Sequence, residues 1–116
     1  MTESFRASIG NGYSGYLEVE SDGGRVVWRG DRRTGEEHER TPTPHEWSAF
    51  WAALDRAGFW SWDPEYESLD IVDGTYWGVT AEHDGRRLET SGANGFPEGF
   101  ERFCRAVSRL SGHAFE

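Results

Sequence analysis

The stretch TPHEWSAFWAALDRAGF, residues 43–59, carries a complete set of helix signals. Thr43 is a favourable N-cap, a proline follows it, and Glu46 completes a capping box with the N-cap. Four large apolar residues follow at i, i+3, i+4 and i+7, and they are Trp47, Phe50, Trp51 and Leu54. Since this spacing gathers them into one apolar stripe and Gly58 can end the helix, we predict a helix over residues 44–57.

Upstream of this helix, alternating apolar and polar residues predict strands. Phe5, Ala7 and Ile9 mark the first strand, and residues 16–20 mark the second. A charged run at residues 37–41 predicts a polar strand at an edge of the sheet, because charges at an edge discourage pairing with another chain.

The dipeptide Asp22-Gly23 predicts a two-residue hairpin loop, since both residue types tolerate positive φ. That loop would set three cross-strand pairs: Val19 with Val26, Leu17 with Trp28, and Glu20 with Arg25.

A second hairpin is predicted downstream of the helix, with Asp84-Gly85 as its loop. Its strands would cover residues 76–83 and 86–91. The register predicts three pairs: Ala81 with Leu88, Val79 with Thr90, and Glu82 with Arg87.

A last helix is expected to open at Pro97 and to end at Gly112. Its inward positions would be Phe100, Phe103, Cys104, Val107 and Leu110. The order of elements predicts an α+β fold: a mostly antiparallel sheet of about six strands, in β4-α-β2-α order, with both helices packed on one face. A split sandwich with the helices at one end is the alternative. At 116 residues, the chain is expected to be one compact domain over residues 1–116.

The composition is unusual for a folded chain. Aliphatic residues are few and the formal net charge is −9, a combination that is typical of disorder. Six Trp, four Tyr and seven Phe compensate, because each ring can bury roughly 150–250 Å². We therefore expect an aromatic-rich core, with Trp28, Trp47 and Trp51 among its members.

The charge balance limits the classes of partner. All 12 basic residues are arginines, and they face 21 acidic residues. This balance repels phosphate groups, so nucleic acids and anionic membranes are poor partners, whereas a basic protein or a cation remains possible. No apolar stretch approaches the roughly 18 residues of a membrane span, and the polar start lacks a signal-peptide core. Because Cys104 is the single cysteine, no internal disulfide can form, and we expect a cytoplasmic protein.

The most uneven charge distribution lies in residues 63–73, which hold five carboxylates and no base: Asp63, Glu65, Glu67, Asp70 and Asp73. The stretch can be a solvated loop or a docking surface for a basic partner, in which case Trp62 would be its exposed anchor. Calcium binding is less favoured because Pro64 interrupts the spacing of an EF-hand loop and Ser68 stands where that loop needs glycine.

Three other patterns indicate alternative functions. Trp60, Trp62 and Trp77 are not fixed by periodicity and could form an exposed platform for a small molecule or a carbohydrate. Paired carboxylates could serve a small enzyme as acid and base, although the sequence contains no nucleophile or zinc motif. Residues 10–15 match G-x-G-x-x-G, but a strand rather than a helix is expected after them, which favours a hairpin loop over a phosphate site.

The capped helix 44–57, with the DGTYW strand that begins at Asp73 and leads towards the helix at Pro97, resembles small bacterial domains, and this resemblance implies no activity. The leading hypothesis is a non-catalytic, acidic protein-interaction domain, of the kind represented by inhibitor or immunity proteins that bind a basic partner. Its predicted docking residues are Trp62, Asp63, Glu65, Glu67, Asp70 and Asp73. No cofactor and no metal are expected.

Overall fold

A computed structural model describes residues 3–11, 15–31, 34–67 and 74–115. Its elements, in chain order, are β1 (Ser4–Asn11), β2 (Gly15–Asp22), β3 (Arg25–Arg29), β4 (Glu37–Arg40), α1 (Pro44–Ala57), a 3₁₀ helix (Phe59–Ser61), β5 (Glu65–Glu67), β6 (Tyr76–His83), β7 (Arg86–Ala93) and α2 (Phe100–Ser111). The strands form one sheet in the order β4-β3-β2-β1-β6-β7-β5. The predicted α+β class is confirmed, but the prediction of about six mostly antiparallel strands is wrong, because the sheet has seven strands and is mixed.

The additional strand is β5, which pairs with β7 in parallel. The tripeptide EYE after a proline gives no local strand signal, so the sequence predicts irregular structure there. Long-range hydrogen bonds hold it in place: Ser91 N–H donates to the carbonyl of Pro64 at 3.0 Å, and the Thr90 hydroxyl donates to the carbonyl of Asp63 at 2.7 Å. Tertiary contacts therefore impose this strand.

The hairpin at Asp84-Gly85 has the predicted register, including the three predicted pairs. Both loop residues adopt positive φ, at 53° for Asp84 and 78° for Gly85, as a type I′ turn requires. The dipeptide sequence thus fixes this hairpin locally.

The register predicted for the first hairpin is wrong. Its loop is Gly23-Gly24, so Asp22 belongs to β2 and pairs with Arg25, while Val19 lies opposite Trp28. Every cross-strand partner is displaced by two residues, which leaves each side chain on its expected face because strand side chains alternate with a period of two. Asp-Gly and Gly-Gly both suit a two-residue loop, so the local signal was degenerate.

Both helices cover the same face of the sheet. The ring of Phe5 in β1 lies 4.9 Å from that of Phe50 in α1 and 6.1 Å from that of Phe103 in α2, between centroids. A strand side chain points to one face only, so α1 and α2 share that face, as predicted. Cys104 is buried in the same core.

Helix α1 has the predicted bounds, its capping box, and Gly58 in the left-handed conformation. Helix α2 begins at Phe100 rather than at the predicted Pro97. Gly99, with φ 89°, interrupts the helical backbone, and a Cβ there would collide with the carbonyl oxygen of Ala57. The close approach of the end of α1 to the start of α2 therefore requires this glycine.

The core is aromatic, as the composition predicts. Trp28 and Trp51 are buried, whereas Trp47 is half-buried at the edge of the core. The molecule is only 20 Å thick along its shortest axis, the thickness of one sheet and one helical layer. Since both helices pack on one face, no helix among the described residues covers the opposite face of the sheet.

Candidate functional site

The structure separates the docking residues predicted from the acidic stretch. Trp62 is only 7% exposed and packs edge-on against Phe59 and Trp77, at 5.1 and 5.9 Å between ring centroids. The prediction of an exposed anchor at Trp62 is therefore wrong, since the short 3₁₀ helix directs this indole into the core. Asp63 is exposed, and Asp70 and Asp73 lie outside the described residues.

Glu65 and Glu67 belong to β5 rather than to a loop. Between them, Tyr66 turns inward and its ring lies 6.0 Å from that of Trp77. Because side chains alternate along a strand, both glutamates project from the face that the helices leave uncovered. We call this surface the open face.

The open face contains the outward residues of all seven strands. They are Ser4, Arg6, Ser8, Gly10, Tyr16, Glu18, Glu20, Asp22, Arg25, Val27, Arg29, Glu37, Glu39, Glu65, Glu67, Tyr76, Gly78, Thr80, Glu82, Arg87, Glu89, Ser91 and Ala93.

A row of small side chains crosses the centre of this face. Ser8 of β1 pairs with Gly78 of β6, which pairs with Ser91 of β7. Carboxylates stand at the two ends of the row, because Ser8 also pairs with Glu18 and Ser91 with Glu65. At about 4.8 Å per strand, the four strand spacings from Glu18 to Glu65 amount to roughly 19 Å.

Larger side chains flank this row. Arg6, Thr80 and Glu89 lie on one side, and with the small residues they line a groove of about 590 Å³. On the other side, Tyr16 and Tyr76 are the cross-strand neighbours of Gly10. The two tyrosines are 48% and 46% exposed. We call the groove that runs along the row of small side chains the sheet groove.

The open face has a surplus of negative charge. Its described residues include nine carboxylates but four arginines, and these arginines are Arg6, Arg25, Arg29 and Arg87. Each of them has at least two carboxylate partners on the face, at 2.7–3.9 Å. The Arg25 guanidinium donates a hydrogen bond to Asp22 and lies near the negative charge of Glu39. These two interactions, the hydrogen bond first, raise the pKa of Arg25. The arginines are thus engaged internally, and the surplus carboxylates determine the sign of the surface potential.

The tryptophans of the alternative platform are not exposed together. Trp77 is 4% exposed, and its Nε1–H donates to the carbonyl of Gly95 at 2.8 Å. Trp60 is half-buried, with the guanidinium of Arg86 lying 4.6 Å from its ring centroid. The expectation that Trp60, Trp62 and Trp77 form an open stacking surface is wrong, because these indoles are used in packing.

Sequence reasoning missed the sheet groove. Alternation in the predicted strands already separates Ser8 and Gly78 from the core, but it does not show that they are neighbours. That relationship arises because β1 is inserted between β2 and β6, strands that are distant in sequence. The outward tyrosines carry no local signal either, since a single exposed aromatic residue is ordinary.

Within the four described ranges, no group of three or more His, Cys, Asp or Glu side chains is arranged to hold a metal ion. No helix among the described residues has the length and apolar character needed to cross a membrane. No protein-family model matches the chain, and no curated protein matches it.

Proposed function

We propose that this chain is a non-catalytic binding domain for a basic protein and that the open face is its docking surface. The observation that carries the proposal is the central row, in which Ser8, Gly78 and Ser91 leave room for a partner between the carboxylates of Glu18 and Glu65. A basic segment lying across the strands could place a cationic side chain beside Glu65, whereas Glu18 already lies 3.3 Å from Arg6 and 3.6 Å from Arg29.

The character of the surroundings supports a protein partner. Tyr16 and Tyr76 supply large amphipathic rings beside the groove, a residue type enriched among the residues that dominate binding energy. The surplus of carboxylates on the same face would accelerate encounter with a positively charged surface and disfavour acidic competitors. These features resemble the requirements of an inhibitor or immunity protein, whose task is occlusion rather than catalysis.

The test uses capture from a lysate of the source organism at about 50 and 500 mM NaCl, bracketing physiological screening. Three forms of the full chain serve as bait: the wild type, a Glu65→Lys/Glu89→Lys variant of the open face, and a Glu98→Lys/Glu101→Lys variant. Glu98 precedes α2 and Glu101 lies in it, and both are exposed. The two variants change the net charge by the same amount.

We expect a specific basic protein to be retained at low salt by the wild type and by the Glu98→Lys/Glu101→Lys control, and to be lost from the open-face variant. A Gly78→Leu variant, which fills the groove without changing charge, should also lose it. Equal retention by all four forms would contradict the proposed surface. Equal loss from both charge variants would show that binding depends on the net charge of the protein and not on the open face, which would also contradict the proposal.

A second candidate function is carbohydrate binding. The observation that favours it is the pair of exposed tyrosines, Tyr16 and Tyr76, on either side of Gly10, because sugar rings stack on aromatic faces through their apolar C–H groups. Binding of neutral oligosaccharides that a Tyr76→Ala variant loses, and that 500 mM NaCl does not weaken, would favour this function over the proposed one.

A further inference from the structure

We infer that a second cleft, on the helix-covered side of the sheet, binds a guanidinium group. It has a volume of about 580 Å³, and its lining includes Trp47, Trp51, Asp55, His83, Glu3 and Ser48. We call it the indole cleft. The volume lies within the range of small-ligand sites in proteins.

Helix α1 supplies one wall of the indole cleft. Trp47, Trp51 and Asp55 are spaced at i, i+4 and i+8, so they form one row along the helix surface. The indole Nε1–H of Trp47 donates to the carbonyl of Gly24 at 3.1 Å, which fixes the β2–β3 loop at the end of the cleft. Because both residues of that loop are glycines, no side chain from it fills the cleft.

The charge of the lining favours a cation. Glu3 and Asp55 contribute carboxylates whose side chains are about half exposed, and the lining includes no arginine. An indole beside a carboxylate attracts a cation through both the ring quadrupole and the opposite charge.

The molecule already uses this arrangement at one edge of the indole cleft. The guanidinium of Arg86 lies 4.6 Å from the ring centroid of Trp60, and its Nη2 atom is 3.2 Å from Oδ1 of Asp55. The rings of Trp60 and Trp51 are stacked at 6.3 Å. An internal guanidinium is thus held between an indole and the same carboxylate that lines the cleft.

His83 repeats the pattern at another side. Its imidazole stacks on Trp51 at 4.2 Å with 5° between the ring planes, and its Nδ1 lies 3.1 Å from Oε1 of Glu3. Planar nitrogen-containing groups therefore occupy two places around Trp51 and Trp60, each beside a carboxylate. A guanidinium is planar, weakly hydrated and able to donate to a carboxylate while it stacks, so its chemistry suits a lining of indoles and carboxylates better than that of an ammonium ion.

This inference is independent of the proposed function, since the indole cleft and the open face lie on opposite sides of the sheet. The guanidinium could belong to a free small molecule or to an arginine side chain of a peptide. Both sources present the same chemistry to the indole cleft.

The test follows the six indole N–H signals of the ¹⁵N-labelled protein while arginine amide is added. Citrulline amide has the same α-amino group and a side chain of similar shape, but that side chain is an uncharged urea, so it serves as the ligand control. We expect arginine amide to shift the signals of Trp47 and Trp51 more than that of Trp28, which lies elsewhere in the core, and citrulline amide to leave all six in place.

A Glu3→Gln/Asp55→Asn variant should bind arginine amide about tenfold more weakly, because it loses both carboxylate charges. The matched control is Glu98→Gln/Glu101→Gln, which also removes two carboxylate charges, at exposed positions away from the cleft, and which should bind like the wild type. A capped peptide with one arginine, tested in parallel, identifies the source: tighter binding of the peptide indicates a protein ligand, and equal binding indicates a free guanidinium compound. The inference would be overturned if neither arginine amide nor the arginine peptide shifted the Trp47 and Trp51 signals. It would also be overturned if citrulline amide shifted these signals as much as arginine amide does.

Discussion

Thr90, a buried residue in β7, donates its hydroxyl hydrogen to the backbone carbonyl of Asp63 at 2.7 Å. The two residues are 27 positions apart, and the bond lies where the chain enters β5. Together with the adjacent hydrogen bond from Ser91 N–H to the carbonyl of Pro64, it attaches the acidic segment to the sheet and directs Glu65 into the open face.

Replacement of Thr90 by Val should therefore destabilise the protein by about 1–3 kcal/mol, because the carbonyl of Asp63 loses its partner inside the structure. Urea unfolding would measure the change in free energy. Amide hydrogen exchange should accelerate most in Glu65–Glu67. A Thr80→Val variant, on the open face of β6, is the matched control, and an equal loss of stability in both variants would contradict this role of Thr90.

Gly10→Ala should destabilise the domain by about 1–3 kcal/mol, the usual cost of overpacking. A Cβ at Gly10 would lie 2.6 Å from the Cα of Tyr16 and would collide with the carbonyl oxygen of Gly15. Gly78→Ala is the comparison, since its Cβ would be 3.8 Å from the nearest atom, Oγ of Ser8. Because alanine loses less backbone entropy than glycine, the Gly78 variant should be as stable as the wild type or more so. Thermal melts of both variants test the difference, which should vanish if Gly10 has no packing role.

Trp77→Phe should cost about 1 kcal/mol more than Trp62→Phe, although both indoles are buried. Trp77 donates a hydrogen bond to Gly95, whose carbonyl would lose its partner. The Nε1–H of Trp62 is buried and finds no acceptor among the described residues, so phenylalanine there removes an unsatisfied polar group along with some packing. Denaturant unfolding of the two single variants gives the comparison. A larger loss for Trp62→Phe would show that packing outweighs hydrogen bonding at these sites.

The capping box of α1 should make stability depend on acid pH. The hydrogen bond from the Thr43 backbone N–H, followed by that from Arg40, lowers the pKa of Glu46. A carboxyl whose folded-state pKa is lowered stabilises the fold above its unfolded pKa, and this contribution is lost as the pH falls through the folded-state value. The wild type should therefore exceed Glu46→Gln in stability at pH 7, and the difference should shrink below about pH 4.

Urea midpoints of the two proteins at pH 7 and pH 3 measure this effect of Glu46. Thr43→Ala should cost about 1 kcal/mol at either pH through the lost N-cap. Glu101→Gln, at an exposed position in the first turn of α2, is the control for simple charge removal. If the difference in unfolding stability between the wild type and Glu46→Gln stays constant with pH, the stabilising role of the ionised Glu46 carboxylate is contradicted.

The sequence by itself determined the elements whose signals are local. The bounds of α1 follow from Thr43, Glu46 and Gly58, because caps act within one helical turn. The register of the last hairpin follows from Asp84-Gly85, since few residue pairs accept positive φ at both positions. Alternation also assigned most strand residues to the correct face, even in the first hairpin, where the register itself was wrong.

Tertiary structure decided everything that depends on distant partners. It made β5 a strand through hydrogen bonds from Thr90 and Ser91, and it buried Trp62 against rings from other elements. It also brought Ser8 and Gly78 together by inserting β1 between β2 and β6. The physical reason is that such contacts gain free energy only after distant parts of the chain have been brought together, so no local window of sequence specifies them. For the same reason the sequence does not predict the sheet groove or the indole cleft, which are formed by residues from distant parts of the chain.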